Sequence, residues 1–194
     1  MGVRQSGAMR VLFVCTGNIC RSPMAEALLR HALQERGCSD VEVVSAGTWA
    51  DDGEPAQPQV TEVLSGAGVE LADHKARVLT KKETASSDLV IAMTSVHMKE
   101  ILKVDPDAEG KLFLMKELIE IQLPSPGSVR SKSRLEQLLD SRRPRWRRAL
   151  DVDDPMGLPV SAYERTLGDL RAGVEVLAEV LCEREKRGSS TQPE

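Results

Sequence analysis

The sequence predicts a single α/β domain, a parallel twisted sheet with helices on both faces. Two observations lead there. Short apolar runs of strand character alternate with segments of helical periodicity, and that alternation implies right-handed crossovers between parallel strands. The chain has 194 residues, enough to bury a sizeable core but suited to one domain rather than two. Hydrophobic residues make up 41% and charged residues 29%, the balance of an ordinary globular protein. Only 3% are aromatic, so the core must be aliphatic.

The elements follow in order. Residues 11–14 read Val-Leu-Phe-Val, a buried-strand run. After a short loop, Ala25, Leu28, Leu29, Ala32 and Leu33 share one helical face, which Gly37 ends. Residues 41–44 read as a second strand. Residues 56–68 have helical character and stop at Gly66 and Gly68. Residues 88–93 predict a third strand, followed by a helix to about Val104, and residues 111–115 a fourth strand. Tyr163, Leu167, Leu170, Val174, Leu177 and Leu181 alternate steps of four and three, which defines a long amphipathic helix; Gly173 interrupts it at some cost. The domain is expected to span residues 10–186, with residues 1–9 and 187–194 as flexible tails.

The net charge of −4, from 26 basic and 30 acidic residues, gives no reason to expect a nucleic-acid partner. No apolar run of about 18 residues is present, so no association with a membrane is expected. The first ten residues have no secretory pattern. A cytoplasmic monomer is the expectation. The four cysteines, Cys15, Cys20, Cys38 and Cys182, lack paired zinc-ligand spacing, and stable disulfides are not expected in the cytoplasm, which leaves at least one cysteine for chemistry. Residues 120–150 break the strand–helix alternation. Between residues 130 and 148, eight basic residues stand against two acidic ones in an otherwise acidic chain. This basic insertion reads as a solvated surface, or more sharply as a dock where Arg142, Arg143, Arg145, Arg147 and Arg148 meet an acidic partner.

Sites in parallel α/β sheets lie beyond the carboxyl ends of the strands. The segment Cys-Thr-Gly-Asn-Ile-Cys-Arg-Ser-Pro at 15–23 occupies such a place. A loop with Cys15 and Arg21 at its ends can curl its backbone N–H groups toward one point, where the following helix adds partial positive charge. Arg21 can grip two phosphate oxygens as a bidentate fork. Ser22 suits an N-cap, Pro23 the first helical position, and Gly17 a conformation other residues resist. The same donors favour the thiolate of Cys15, the reactive form of a cysteine. Cys15 is thus the candidate nucleophile toward phosphorus, and Arg21 the stabiliser of the transferring group. A thiolate that displaces a phenolate also needs an acid for the leaving oxygen. Asp154 precedes Pro155 in Asp-Val-Asp-Asp-Pro-Met-Gly at 151–157, with Asp151 and Asp153 as neighbouring alternatives. Acidic residues before proline are also common in turns. His31 and His97 sit on predicted helices with no catalytic pattern.

The string Val-Leu-Phe-Val-Cys-Thr-Gly-Asn-Ile-Cys-Arg-Ser-Pro-Met-Ala-Glu resembles the active-site segment of the low-molecular-weight protein tyrosine phosphatases, and the resemblance runs from about residue 10 to residue 182. It implies a four-stranded parallel sheet, a phosphate-binding loop after the first strand, and a two-step reaction with neither metal nor other cofactor. It implies Cys15 as nucleophile, Arg21 as phosphate ligand and Asp154 as acid. Thr16, Gly17, Asn18, Ile19, Cys20 and Ser22 would line the substrate, with Asn18 and Ser22 holding the loop. Ser45 and His74 would in turn hold Asn18. Oxidation would join Cys15 and Cys20 in a reversible, protective disulfide. Cys38 and Cys182 read as inert.

The implied partners are phosphotyrosine protein substrates. A phosphotyrosine ring needs an apolar slot, for which Trp49 and Met156 are the candidate walls. Many relatives carry two tyrosines after the Asp-Pro, where this chain has Met156 and Gly157. Arginine phosphatases of the family have threonine where this chain has Ile19, which favours tyrosine; Met156-Gly157 leans the other way. A related arsenate-reducing branch needs further cysteines, and residues 88–97 contain none. The alternative of another class is a phosphate-binding pseudoenzyme that recruits partners through the basic insertion.

Overall fold

The computed structural model describes residues 8–120, 134–140 and 148–189. Four parallel strands, β1 (Met9–Cys15), β2 (Val41–Gly47), β3 (Leu89–Ala92) and β4 (Leu112–Leu114), form one sheet in the order β2-β1-β3-β4. All four lie where the apolar runs place them. β3 and β4 are buried throughout and β1 almost throughout, which is why their sequences are continuously apolar rather than alternating.

The two-residue period of β1 divides its side chains between two layers. Val11, Phe13 and Cys15 join the core beneath α1 (Arg21–Glu35), α2 (Pro58–Gly66) and α7 (Val160–Ser189). Leu12 and Val14 face the other way, onto Met98 and Ile101 of α4 (Ser95–Val104). Each fully buried side chain of this kind contributes about 1.5–3 kcal/mol. β2 lies on one side of β1 and β3 on the other. Strand order therefore reverses at β1, and such a switch point opens a crevice at the carboxyl ends. Cys15, the last residue of β1, stands there.

Gly173 has a packing reason. A Cβ at this position of α7 would come within 2.8 Å of Met115 Cε and 2.9 Å of the Met115 carbonyl oxygen. The glycine that weakens the helix lets it approach the end of β4. Three shorter helices, α3 (Lys81–Ser86), α5 (Glu117–Glu120) and α6 (Arg134–Asp140), complete the described α-helices. No helix among the described residues is long and apolar enough to cross a membrane.

Three expectations need correction. Met9 is not part of a tail: it pairs with Val41 in the sheet and is buried, because the strand begins before its first apolar pair. At the other end α7 continues to Ser189, since its last turns are rich in Glu, Lys and Arg, good helix formers; residues 1–7 and 190–194 lie outside the described residues. Cys38 and Cys182 are not inert thiols but a disulfide, their Cα atoms 5.6 Å apart across 144 residues of sequence. Packing of α1 against α7 brings the pair together, a proximity that cysteine spacing cannot reveal. The basic insertion is in part packed, since Leu135 and Leu138 of α6 are buried beside α7. Arg142, Arg143, Arg145 and Arg147, and the side chain of Arg148, lie outside the described residues, as does any dock they form.

Candidate active site

The loop from Cys15 to Arg21 closes around Asn18. Its φ of 55° is the only left-handed value at a non-glycine among the described residues, a conformation that costs about 1–2 kcal/mol. Five hydrogen bonds, each contributing about 1 kcal/mol, offset that strain. The side-chain amide donates to Ser22 Oγ (2.9 Å) and Ser45 Oγ (2.8 Å), and Oδ1 accepts from the Arg77 backbone N–H (3.0 Å). The Asn18 backbone N–H points at Cys15 Sγ (3.3 Å), and His74 Nε2–H donates to the Asn18 carbonyl (2.7 Å). Asn18, Ser22 and Ser45 are wholly buried. Ser45 donates onward to Glu26, which pairs with Arg30.

The loop corrects three local expectations. Gly17 is not the residue in the left-handed region; Asn18 is, because its amide can answer three neighbours at once. Ser22 is not an N-cap. The helix begins at Arg21 with Cys20 as its cap residue, and the Ser22 hydroxyl turns inward to Cys15 Sγ at 3.0 Å. Pro23 is thus the third helical residue, still within the first turn whose N–H groups lack helical partners. Gly47 is a requirement that sequence reasoning missed. A Cβ there would meet the Thr16 carbonyl oxygen at 2.4 Å and the Asn18 nitrogen at 2.9 Å. The loop lies directly on this glycine.

Arg21 is 4% exposed. Its Nη1 donates to the Val152 carbonyl (3.3 Å), and its Nη2 to Thr16 Oγ1 (3.3 Å) and Asp154 Oδ2 (2.6 Å). Its Nε is buried with no partner among the described residues, a donor available to an anion. Asp154, by contrast, has a side chain 48% exposed. The segment that carries it is fastened at intervals. Asp151 accepts from the Ser95 N–H (2.6 Å) and hydroxyl (3.2 Å), and the Val152 N–H donates to the Met93 carbonyl (2.8 Å). Asp153 is exposed.

Cys20 is buried. Its Sγ lies 3.9 Å from the Tyr163 hydroxyl and 3.8 Å from Met156 Sδ. Burial pushes the Cys20 thiol up to about 11 and the Tyr163 hydroxyl up to about 12, so both keep their protons near neutrality. Ile19 is buried in the loop, and its carbonyl accepts from the Gln57 N–H. Trp49, 78% exposed, is attached to the loop by its backbone N–H, which donates to the Thr16 carbonyl. Met156 is half exposed. A cleft of about 570 Å³ opens beside Asp154, walled by Leu158, Ala162, Arg165 and Thr166. His97, unmarked in the sequence, is buried on α4 and reaches the loop at Thr16; only the fold reveals it.

Thiol, guanidinium and carboxyl thus meet at the carboxyl end of β1, an arrangement suited to nucleophilic displacement at phosphorus with proton transfer to the departing group. Residues 10–141 match the family described as low molecular weight phosphotyrosine protein phosphatase. The chain is 39% identical to a probable low molecular weight protein-tyrosine-phosphatase of Ralstonia solanacearum, over 85% of this chain and 90% of the relative. It is 34% identical to a protein-arginine-phosphatase of Geobacillus stearothermophilus, over 89% and 95%. Among solved structures it is similar to a low molecular weight protein tyrosine phosphatase from T. tengcongensis, with a TM-score of 0.70, 33% identity, and coverage of 88% and 98%. It is also similar to the YwlE arginine phosphatase, solved as a cysteine-to-serine mutant with a phosphorylated active-site serine, with a TM-score of 0.71, 32% identity, and coverage of 93% and 99%. Sheet order, loop and sequence agree, and the chain belongs to the low molecular weight phosphotyrosine protein phosphatase family.

Proposed function

We propose that this enzyme hydrolyses phosphotyrosine in proteins through a phosphocysteine on Cys15. The thiolate attacks phosphorus as the bond to the tyrosine oxygen breaks. Arg21 holds the equatorial oxygens, and Asp154 gives its proton to the leaving phenolate. Asp154 then takes a proton from the water that attacks phosphocysteine, which releases phosphate and restores the thiolate. The observation that carries the reading is the 2.6 Å contact of Asp154 with Arg21, which brings a carboxyl from far along the chain to the loop that begins at Cys15. Trp49 and Met156 offer apolar walls for the ring, and the cleft beside Asp154 offers room for the polypeptide that carries it. A cytoplasmic location would keep Cys15 reduced, whereas the Cys38–Cys182 disulfide suits a more oxidising compartment.

Cys15→Ser is expected to lower turnover of para-nitrophenyl phosphate by about 10⁴-fold or more, the scale of losing a nucleophile. A wild type as inactive as the variant would support a phosphate-binding protein instead. A second reading, arginine phosphatase, draws support from Met156-Gly157 after the Asp-Pro and from the relatives with that activity. Rates on phosphotyrosine and phosphoarginine peptides, measured side by side, decide between the two. The buried Ile19, apolar where an arginine phosphatase has threonine, favours tyrosine.

A further inference from the structure

His97 belongs to α4, yet its ring is directed at the phosphate loop. It is 4% exposed. Nδ1 lies 2.9 Å from Thr94 Oγ1 and Nε2 lies 2.9 Å from Thr16 Oγ1. Thr94 caps α4, its hydroxyl oxygen accepting from the His97 backbone N–H, so the ring is fixed at its root and at both nitrogens. Thr16 Oγ1 in turn accepts from Arg21 Nη2, the nitrogen that also donates to Asp154. Thr16 is itself an exposed residue at the start of the loop. Without a partner its hydroxyl is free to change rotamer.

We propose that His97 is a positioning residue for phosphate binding: it holds the Thr16 hydroxyl so that its oxygen faces Arg21, and thereby orients the guanidinium. The inference rests on the phosphatase reading of the site. A neutral imidazole suits the task. It has one N–H and one lone pair, so it donates to one threonine hydroxyl and accepts from the other, and it places no second positive charge beside Arg21. Burial and the Arg21 charge push His97 down to about 4, which keeps the ring neutral near pH 7.

The test reads phosphate affinity by calorimetry with inorganic phosphate, which is independent of turnover, together with kcat/KM on para-nitrophenyl phosphate. Inactivity of the wild type would break the phosphatase reading before any variant is compared. His97→Leu and Thr16→Val are each expected to weaken phosphate about 10-fold, and the double variant about 10-fold rather than about 100-fold, because both break one relay. His97→Gln, whose amide reaches as far as Nε2, is expected to recover most of the loss. Lys99→Ala, exposed on the same helix, is the control and is expected to match wild type. Additive losses, no recovery by glutamine, or unchanged phosphate affinity in Thr16→Val would each overturn the proposal. The Thr16→Val result stands even where His97→Leu fails to fold.

Discussion

The two halves of the site are built differently. The loop from Cys15 to Arg21 is largely buried, with Thr16 exposed, and its central residue, Asn18, has each polar group of backbone and side chain answered by a neighbour. The segment bearing Asp154 is fastened through Asp151, Val152 and the Arg21 contact, while the acid itself stays about half exposed. On the proposed roles, the difference follows from what each half must do. Donors that stabilise charge on phosphorus work best when fixed beforehand. An acid that must first leave Arg21 and then meet a leaving oxygen and a water needs room to move.

Of three ways to test this contrast, the one with the largest expected effect addresses the fixed half. Gly47→Ala drives a methyl into the backbone of Thr16 and Asn18, and a loop displaced by about 1 Å should lose roughly 100-fold in kcat/KM. Wild-type kinetics would show the loop to be adjustable and remove the contrast. Asp151→Ala should release the acid segment from α4 and lower kcat on phenyl phosphate about 10-fold, with phosphate affinity unchanged. An equal fall in phosphate affinity would mean that the two halves are one unit. The smallest effect is in stability. His97 is held below its ordinary value, so as pH falls from 6.5 toward 4 the unfolded chain takes up a proton that the folded one refuses. Stability should fall over that window, by about 2 kcal/mol at pH 5, and His97→Gln should remove this contribution in urea titrations.

The phosphate loop was legible because its chemistry is contiguous. Strand, Cys15, Arg21 and helix sit within one short string, and apolar periodicity placed the sheet around them. Asp154 was legible through family resemblance, since Asp-Pro alone is a common turn. What remained hidden depends on partners distant in sequence. Gly47 looks like any strand-end glycine until the loop is laid across it. Tyr163 reads as one more apolar position of α7, although its hydroxyl reaches Cys20. His97 follows no period or spacing that separates a loop support from an ordinary helix residue. The Cys38–Cys182 bond depends on how two helices pack, and compartment reasoning pointed the other way.

The contact between Arg21 and Asp154 has a further consequence on the proposed assignment. The resting pocket already contains its own counter-ion, so a weak monoanion gains little by exchanging with it. A phosphate dianion brings more charge and three acceptor oxygens, and can evict the carboxylate. Once evicted, that carboxylate, about half exposed, is free to turn toward the leaving oxygen. Arrival of the correct guest thus displaces the acid toward the bond that it is to help break.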